Sequence, residues 1–130
     1  AGERVDTRDR ERAGEGERKI GYREIVTADV DGVCSTYAEL HGVTFGPPVA
    51  ELGNARTAAL DDGGVIGVRA PLRDGEGPVV RPYFRVEGIE AVAQRIEEAG
   101  AVVAHPPLEL PGHGKFAIYL RGDVQHGLWE

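Results

Sequence analysis

The sequence predicts an α+β domain built from two copies of one βαβββ unit, and three observations support this. Residues 21–67 and 81–127 share the order strand, amphipathic helix and three strands, with an offset of about sixty positions. Residues that match at this offset are Val26 and Val86, Leu60 and Leu120, and Gly67 and Gly127. Both predicted helices end at a glycine. Because one helix on a four-stranded sheet buries little surface alone, we expect the units to join around a cleft.

The composition fits one acidic globular domain. The chain has 130 residues, 41% of them hydrophobic, and a formal net charge of −7. An acidic domain without a basic stripe argues against nucleic acid as a partner. No apolar run is long enough to span a bilayer, and no secretion signal is visible. Cys34 is the only cysteine and fits a reducing compartment. We therefore expect a cytoplasmic protein that binds neither nucleic acid nor membrane.

The first unit follows a charged arm. Residues 1–19 are almost free of apolar side chains and carry both charges, which predicts a flexible arm before a domain at 20–130. Residues 21–28 predict a strand, and Asp29 is placed to cap a helix that ends at Gly42. Further strands are expected at 43–45, 55–60 and 65–69. The unit therefore covers residues 21–69, with a hairpin turn at 61–64.

The second unit covers residues 79–130, after a linker rich in glycine, proline and charge at 70–78. A strand at 79–86 contains Pro82, which limits its pairing. Apolar residues from Ile89 onward predict a helix that ends at Gly100. A strand at 101–104, a long loop at 105–114 and a closing hairpin with strands at 115–120 and 124–129 complete the unit.

Three local motifs carry a resemblance to a known superfamily. Residues 23–29 (REIVTAD) precede the first helix, residues 83–86 (YFRV) precede the second, and the chain closes with GKFAIY…QHGLW. In this order, over residues 21–130, they resemble the vicinal oxygen chelate superfamily, which includes glyoxalase I, bleomycin-resistance proteins and extradiol dioxygenases. The closing motif is similar to small uncharacterised members. The resemblance implies one curved mixed sheet with helices outside, a cup-shaped cleft, and a homodimer.

The metal positions that this resemblance implies hold unsuitable residues. Metal enzymes of the superfamily bind a divalent ion with four side chains, one each from the first and last strands of the two units. These positions fall on Tyr22, Gly67, Arg81 and Gly127. Divalent transition metals in such sites need deprotonated nitrogen or oxygen donors, and none of the four is a carboxylate or imidazole. We therefore expect no metal and no other cofactor.

Strand alternation from these four positions predicts which side chains face the cup. Inward positions are Tyr22, Glu24, Arg69, Arg81, Tyr83, Arg85, Gln125 and Trp129. Guanidinium groups suit carboxylates or phosphates and stack on aromatic rings, so this pocket fits a small, partly aromatic and potentially anionic ligand. The alternative is that the arginines pair with nearby acids.

Glu24 and His113 are the candidate catalytic residues. A carboxylate on a central strand facing an apolar cup would have a raised pKa and could act as a general base. Glu24 could equally be the ion-pair partner of Arg81 or Arg69. His113 lies between glycines on a segment able to close over a ligand, although it could also lie in a plain exposed turn.

The leading functional hypothesis is metal-independent binding of a small organic, partly aromatic molecule, as bleomycin-resistance proteins bind and sequester an antibiotic. Tyr22, Tyr83 and Trp129 would stack on the ligand, while Arg69, Arg81 and Glu24 would set its charge. The alternative is a lyase or isomerase of the superfamily that acts on a small carbonyl or aromatic compound, with Glu24 or His113 as base. A third class, a structural or partner-binding domain, would have a cup filled by its own side chains.

Overall fold

An open, mixed sheet of eight strands with two helices runs through residues 19–130, the part of the chain that this computed structural model describes. The predicted arm at 1–19 lies outside the described residues except for Lys19. The elements are β1 (Ile20–Val26), α1 (Val30–His41), β2 (Pro48–Val49), a 3₁₀ turn (Ala50–Leu52), β3 (Ala55–Ala59), β4 (Val65–Arg69), β5 (Val79–Arg85), α2 (Ile89–Glu98), β6 (Val102–Leu110), β7 (Gly114–Arg121) and β8 (Val124–Trp129). This confirms the predicted α+β class.

The two units form the two halves of the sheet and meet along one pair of strands. The strand order is β2-β3-β4-β1-β5-β8-β7-β6. β1 pairs with β4 in parallel and with β5 antiparallel, and β5 pairs with β8 in parallel. Glu24 therefore lies directly opposite Arg81 across the β1–β5 seam. The first strands of both units are central, which brings their side chains to the middle of the molecule.

The first helix begins and ends where the sequence predicts. The carboxylate of Asp29 accepts a hydrogen bond from the Gly32 backbone N–H at 3.1 Å, which satisfies a donor of the first turn. Gly42 ends the helix with φ of +65°, a left-handed conformation that costs glycine little. Among the described residues, neither helix is long and apolar enough to cross a membrane.

Each helix covers its own hydrophobic core. Under α1 the buried residues are Ile25, Cys34, Phe45, Ala58, Ile66 and Val68. Under α2 they are Val86, Ile89, Val92, Ala93, Ala117 and Leu128. Burying a side chain of this size contributes about 1.5–3 kcal/mol, so the two clusters hold the helices against the sheet. Since side chains alternate along a strand, the residues between these positions are left for the other face.

Two predicted details are wrong. No strand forms at 43–45; Phe45 instead packs into the first core and is 9% exposed. Most of the predicted loop at 105–114 is β6, which continues through Pro106 and Pro107. β6 is an edge strand with register shifts on either side of His105, and an edge tolerates proline because one side needs no partner.

Candidate functional site

The sheet curves around a cavity of about 480 Å³ that seven of the eight predicted inward-facing residues line. These residues are Tyr22, Glu24, Arg69, Arg81, Tyr83, Gln125 and Trp129. Cavities that hold small ligands in proteins are typically about 300–1,000 Å³. The cup is therefore not filled by its own side chains, as it would be in a structural or partner-binding domain.

Aromatic rings gather at one end of the cavity, which we call the aromatic end: Tyr22, Tyr83, Phe116 and Trp129. The ring centre of Trp129 lies 5.1 Å from that of Tyr22 and 5.4 Å from that of Tyr83. The indole N–H of Trp129 donates to the backbone carbonyl of His113 at 2.5 Å, which fixes the plane of the ring. Such tilted and edge-on arrangements are favourable for aromatic groups and leave ring faces for a flat molecule.

The polar part of the cavity is a row of side chains that crosses the sheet, which we call the charge row: Glu76, Arg69, Glu24, Arg81 and Gln125. The Arg69 guanidinium donates to Glu24 Oε2 at 2.7 Å and to Glu76 Oε2 at 2.7 Å. Glu76 also accepts from the Leu72 backbone N–H at 2.7 Å, which pins the β4–β5 loop to the row. The ion-pair alternative for Arg69 is thus the one found.

The second half of the charge row joins Glu24 to Gln125. Arg81 Nη1 donates to Glu24 Oε1, and Tyr83 donates to the same oxygen at 2.8 Å. Arg81 also donates to Gln125 Oε1 from Nε at 3.1 Å and from Nη2 at 2.7 Å. Glu24, Arg69 and Arg81 are each less than 9% exposed. Two buried cations and two carboxylates therefore neutralise one another before any ligand arrives.

The pKa values follow from burial and these pairs. Burial, followed by the nearby Glu24 carboxylate, raises the pKa of both Tyr22 and Tyr83 above the ordinary tyrosine range. Burial alone would lower the pKa of Arg69, but its hydrogen bonds with Glu76 and Glu24 raise it. The hydrogen bond from Arg69 lowers the pKa of Glu76 to about 2. The phenols therefore stay neutral near pH 7 and Glu76 stays charged.

The four implied metal positions do not fit a divalent ion. A Cβ at Gly67 would lie 1.7 Å from the Tyr22 hydroxyl, and one at Gly127 would lie 2.1 Å from the Tyr83 ring. Tyrosine side chains therefore fill the space beside both glycines, while the guanidinium of Arg81 is bound to Glu24. Within residues 19–130 no three His, Cys, Asp or Glu side chains are grouped closely enough to hold a metal.

Other predicted residues lie elsewhere. His113 sits in the turn between β6 and β7, where its carbonyl contacts Trp129 but its side chain does not line the cavity. Arg85 is exposed and lies against Gly21, outside the lining. Glu24 is in place, held by three donors, and its role as a base stays a prediction.

Among the lining residues that the sequence did not predict are Glu76, His105 and Phe116. Glu76 falls in the predicted linker, where no periodicity indicates which way a side chain points. His105 lines the cavity and stacks on Phe116 with ring centres 4.7 Å apart, although a loop was expected there. Phe116 could have been found, because it pairs with Trp129 across the last hairpin and so shares its face.

Comparison by sequence gives no assignment. No family model matches the chain. No curated protein matches it either.

Comparison by structure identifies the fold. A hypothetical protein from Bacillus halodurans has a TM-score of 0.68 at 16% identity, covering 88% of this chain and 94% of its own. Methylmalonyl-CoA epimerase from Mycobacterium tuberculosis has a TM-score of 0.64 at 20% identity, covering 85% of each chain. A Streptomyces coelicolor methylmalonyl-CoA epimerase variant in complex with 2-nitronate-propionyl-CoA has a TM-score of 0.61 at 20% identity, covering 85% of this chain and 95% of its own. At these identities the likeness shows the α+β fold alone.

Proposed function

We propose that this chain binds a small organic, partly aromatic molecule in the cavity between its two halves, without a metal ion. The observation that carries the proposal is the aromatic end, where four rings line part of a cavity of about 480 Å³. A flat ligand stacked on Trp129 would gain apolar contact and favourable ring geometry together. Aliphatic side chains complete the apolar wall: Leu52, Leu72, Leu110, Ile118 and Leu120.

The charge row supports a ligand without strong charge. Three acids and three arginines line the cavity, so its formal charge balances. Arg69 and Arg81 already bind Glu24, and Arg69 also binds Glu76. An anionic ligand would have to compete with these carboxylates for the guanidiniums. A neutral molecule with a polar group at one end leaves the pairs intact, so we favour a neutral ligand over the anion that the sequence left open.

Binding can be tested through the single tryptophan. Trp129 is the only tryptophan in the chain, so its indole N–H gives one identifiable NMR signal. We would titrate chelator-treated protein with naphthalene, quinoline and indole. We expect each probe to shift that signal saturably, and the shift to be the same with and without EDTA. Binding that appears only after a divalent ion is added, or no shift with any probe, would contradict it.

A matched pair of variants locates the binding. Ala104 lines the cavity from the exposed strand β6, so Ala104→Phe should fill the cavity without disturbing a packed core. Val102 lies two positions away on the same strand, is 63% exposed and does not line the cavity. We expect Ala104→Phe to weaken probe binding at least tenfold and Val102→Phe to leave it unchanged. Equal effects would place the binding elsewhere.

The rival proposal is a lyase or isomerase acting on a small carbonyl or aromatic compound. Its support is the likeness in fold to methylmalonyl-CoA epimerases, together with the Glu24 carboxylate and the His105 imidazole on the cavity wall. Incubation with methylmalonyl-CoA in D₂O, followed by NMR of the α-proton, tests it. Exchange above the buffer rate that Glu24→Gln abolishes would favour the enzyme. Exchange at the buffer rate is the outcome expected for the binding proposal.

A further inference from the structure

We infer that Gln125 orients the ligand by donating a hydrogen bond from its side-chain amide to a carbonyl oxygen at the end of the ligand remote from its ring. This inference rests on the proposed function, and it narrows the ligand to aryl compounds that carry such an acceptor. It assigns one atom, Gln125 Nε2, as the group that selects them.

The orientation of the amide follows from its neighbour. A guanidinium has five N–H donors and no acceptor, so only the amide oxygen can face Arg81. Oε1 accepts from Arg81 at 2.7 and 3.1 Å. The amide nitrogen must then point away from Arg81. Within residues 19–130, Gln125 Nε2 has no hydrogen-bond partner, while the side chain lines the cavity.

The donor is held in place before a ligand arrives. Arg81 is itself bound to Glu24, which Arg69 and Tyr83 also contact. Each member of the charge row is therefore restrained by the next, and Gln125 is its last side chain. A group that is already oriented loses little freedom on binding, so a hydrogen bond to it contributes more of its strength to affinity.

The donor lies at the opposite end of β8 from the aromatic end. Gln125 pairs with Leu120, whereas Trp129 pairs with Phe116. Residues 125 and 129 lie on the same face and about 13 Å apart along the strand. A ligand stacked on Trp129 therefore directs its far end toward Gln125. This separation favours a two-ring aryl group with the oxygen on its distal side.

The amide selects for acceptors more strictly than the hydroxyls do. Tyr83 already donates to Glu24, and the Tyr22 hydroxyl, which lies over Gly67, can either donate or accept. The NH₂ of Gln125 can only donate. A ligand that presents a carbonyl there gains a bond, and one that presents an amine or a methyl group gains none.

Two probes of the same shape test the inference. 2-Acetylnaphthalene presents a carbonyl oxygen, and 2-ethylnaphthalene presents none. Wild-type protein should bind the ketone about fivefold more tightly, the ratio expected from one neutral hydrogen bond. The dissociation constants are measured by the Trp129 indole shift. If the ketone and the hydrocarbon bind equally, this inference is wrong while the proposed function stands. If neither binds, the proposed function fails as well.

Two substitutions of Gln125 distinguish the role of its amide NH₂ as a donor from the role of its amide oxygen as an acceptor from Arg81. Gln125→Glu keeps oxygens for Arg81 but removes the donor, and Gln125→Met removes both. Both variants should bind the two probes with equal affinity, with the hydrocarbon within twofold of wild type. Gln94→Glu, which makes the same change on helix α2 outside the cavity, should keep the wild-type ratio. A fivefold preference that survives in folded Gln125→Glu and Gln125→Met would overturn the inference.

Discussion

Replacing Glu24 with glutamine removes the carboxylate that two buried guanidiniums share. The Glu24 side chain is 11% exposed, and those of Arg69 and Arg81 are 7% exposed, so solvent replaces little of the lost interaction. After the change, Arg81 keeps Gln125 and Tyr83 but no carboxylate, whereas Arg69 keeps Glu76. Removing one partner of a buried pair typically costs 3–5 kcal/mol.

Because Arg69 retains a carboxylate, we expect the low end of that range. Glu24→Gln should lower the free energy of unfolding by about 3 kcal/mol, or the Tm by roughly 12 °C for a chain of this length. Urea unfolding at pH 7, followed by Trp129 fluorescence and far-UV circular dichroism, measures it. Combining Glu24→Gln with Arg81→Met removes the unpaired cation as well, so the double variant should lose less than the sum of the two single changes.

An exposed pair provides the control. Asp31 lies 3.2 Å from Arg56 but is 91% exposed, and such pairs contribute about 0–1 kcal/mol. Asp31→Asn should therefore change stability by less than about 0.5 kcal/mol. If Glu24→Gln costs no more than Asp31→Asn, the charge row is not a structural element and the reasoning fails.

Three further outcomes are expected. The pKa of Glu76 is lowered to about 2 from an ordinary value of 4.5, so its contribution to stability is present above pH 4.5 and is lost as the pH falls toward 2. Between pH 4.5 and 2 the free energy of unfolding, measured by urea titration, should therefore fall by about 3 kcal/mol more in wild type than in Glu76→Gln. Gly127→Ala places a methyl group 2.1 Å from the Tyr83 ring and should lower the free energy of unfolding by about 1–3 kcal/mol. The control Gly77→Ala places a methyl group with no atom within 4 Å and should leave the free energy of unfolding unchanged in the same assay. Burial raises the pKa of the Cys34 thiol, so Ellman's reagent should react with it only at the rate of unfolding; fast reaction in native buffer would contradict the packing.

The local sequence pattern predicted the bounds of a strand well where alternation and turn residues alone determine them. The bounds of β4 and β8 are those that alternation and turn residues indicate, because both strands are short and each begins directly after a glycine or an aspartate. The continuation of β6 beyond the predicted strand at 101–104 was missed, because Pro106 and Pro107 indicate a turn in any local reading. A strand can accommodate the two prolines only at the edge of the sheet, where one of its sides needs no hydrogen-bond partner. The position of a strand in the sheet depends on the whole fold and cannot be read from the local sequence.

In the candidate site, too, strand residues were predicted and the loop residues were not. Alternation along β1, β4, β5 and β8 placed seven of the eight predicted inward residues around the cavity, and Arg85 is the exception. Whether Arg69 would meet a ligand or an acid was left open, since that depends on Glu76. A loop side chain reaches its partner through tertiary contacts, and no spacing in the sequence records them.

The Glu24–Arg81 pair across the β1–β5 seam also governs which strands can meet there. In a chain made of two similar units, β1 of one molecule could in principle align with β1 of another in the same antiparallel register. Tyr22 is the counterpart of Arg81 in the first unit, so that alignment would set Glu24 against Tyr22 and leave the carboxylate without a cation. An unpaired buried charge is costly. The pair of opposite charges at this cross-strand position therefore favours the meeting of two different units over the meeting of two copies of the first.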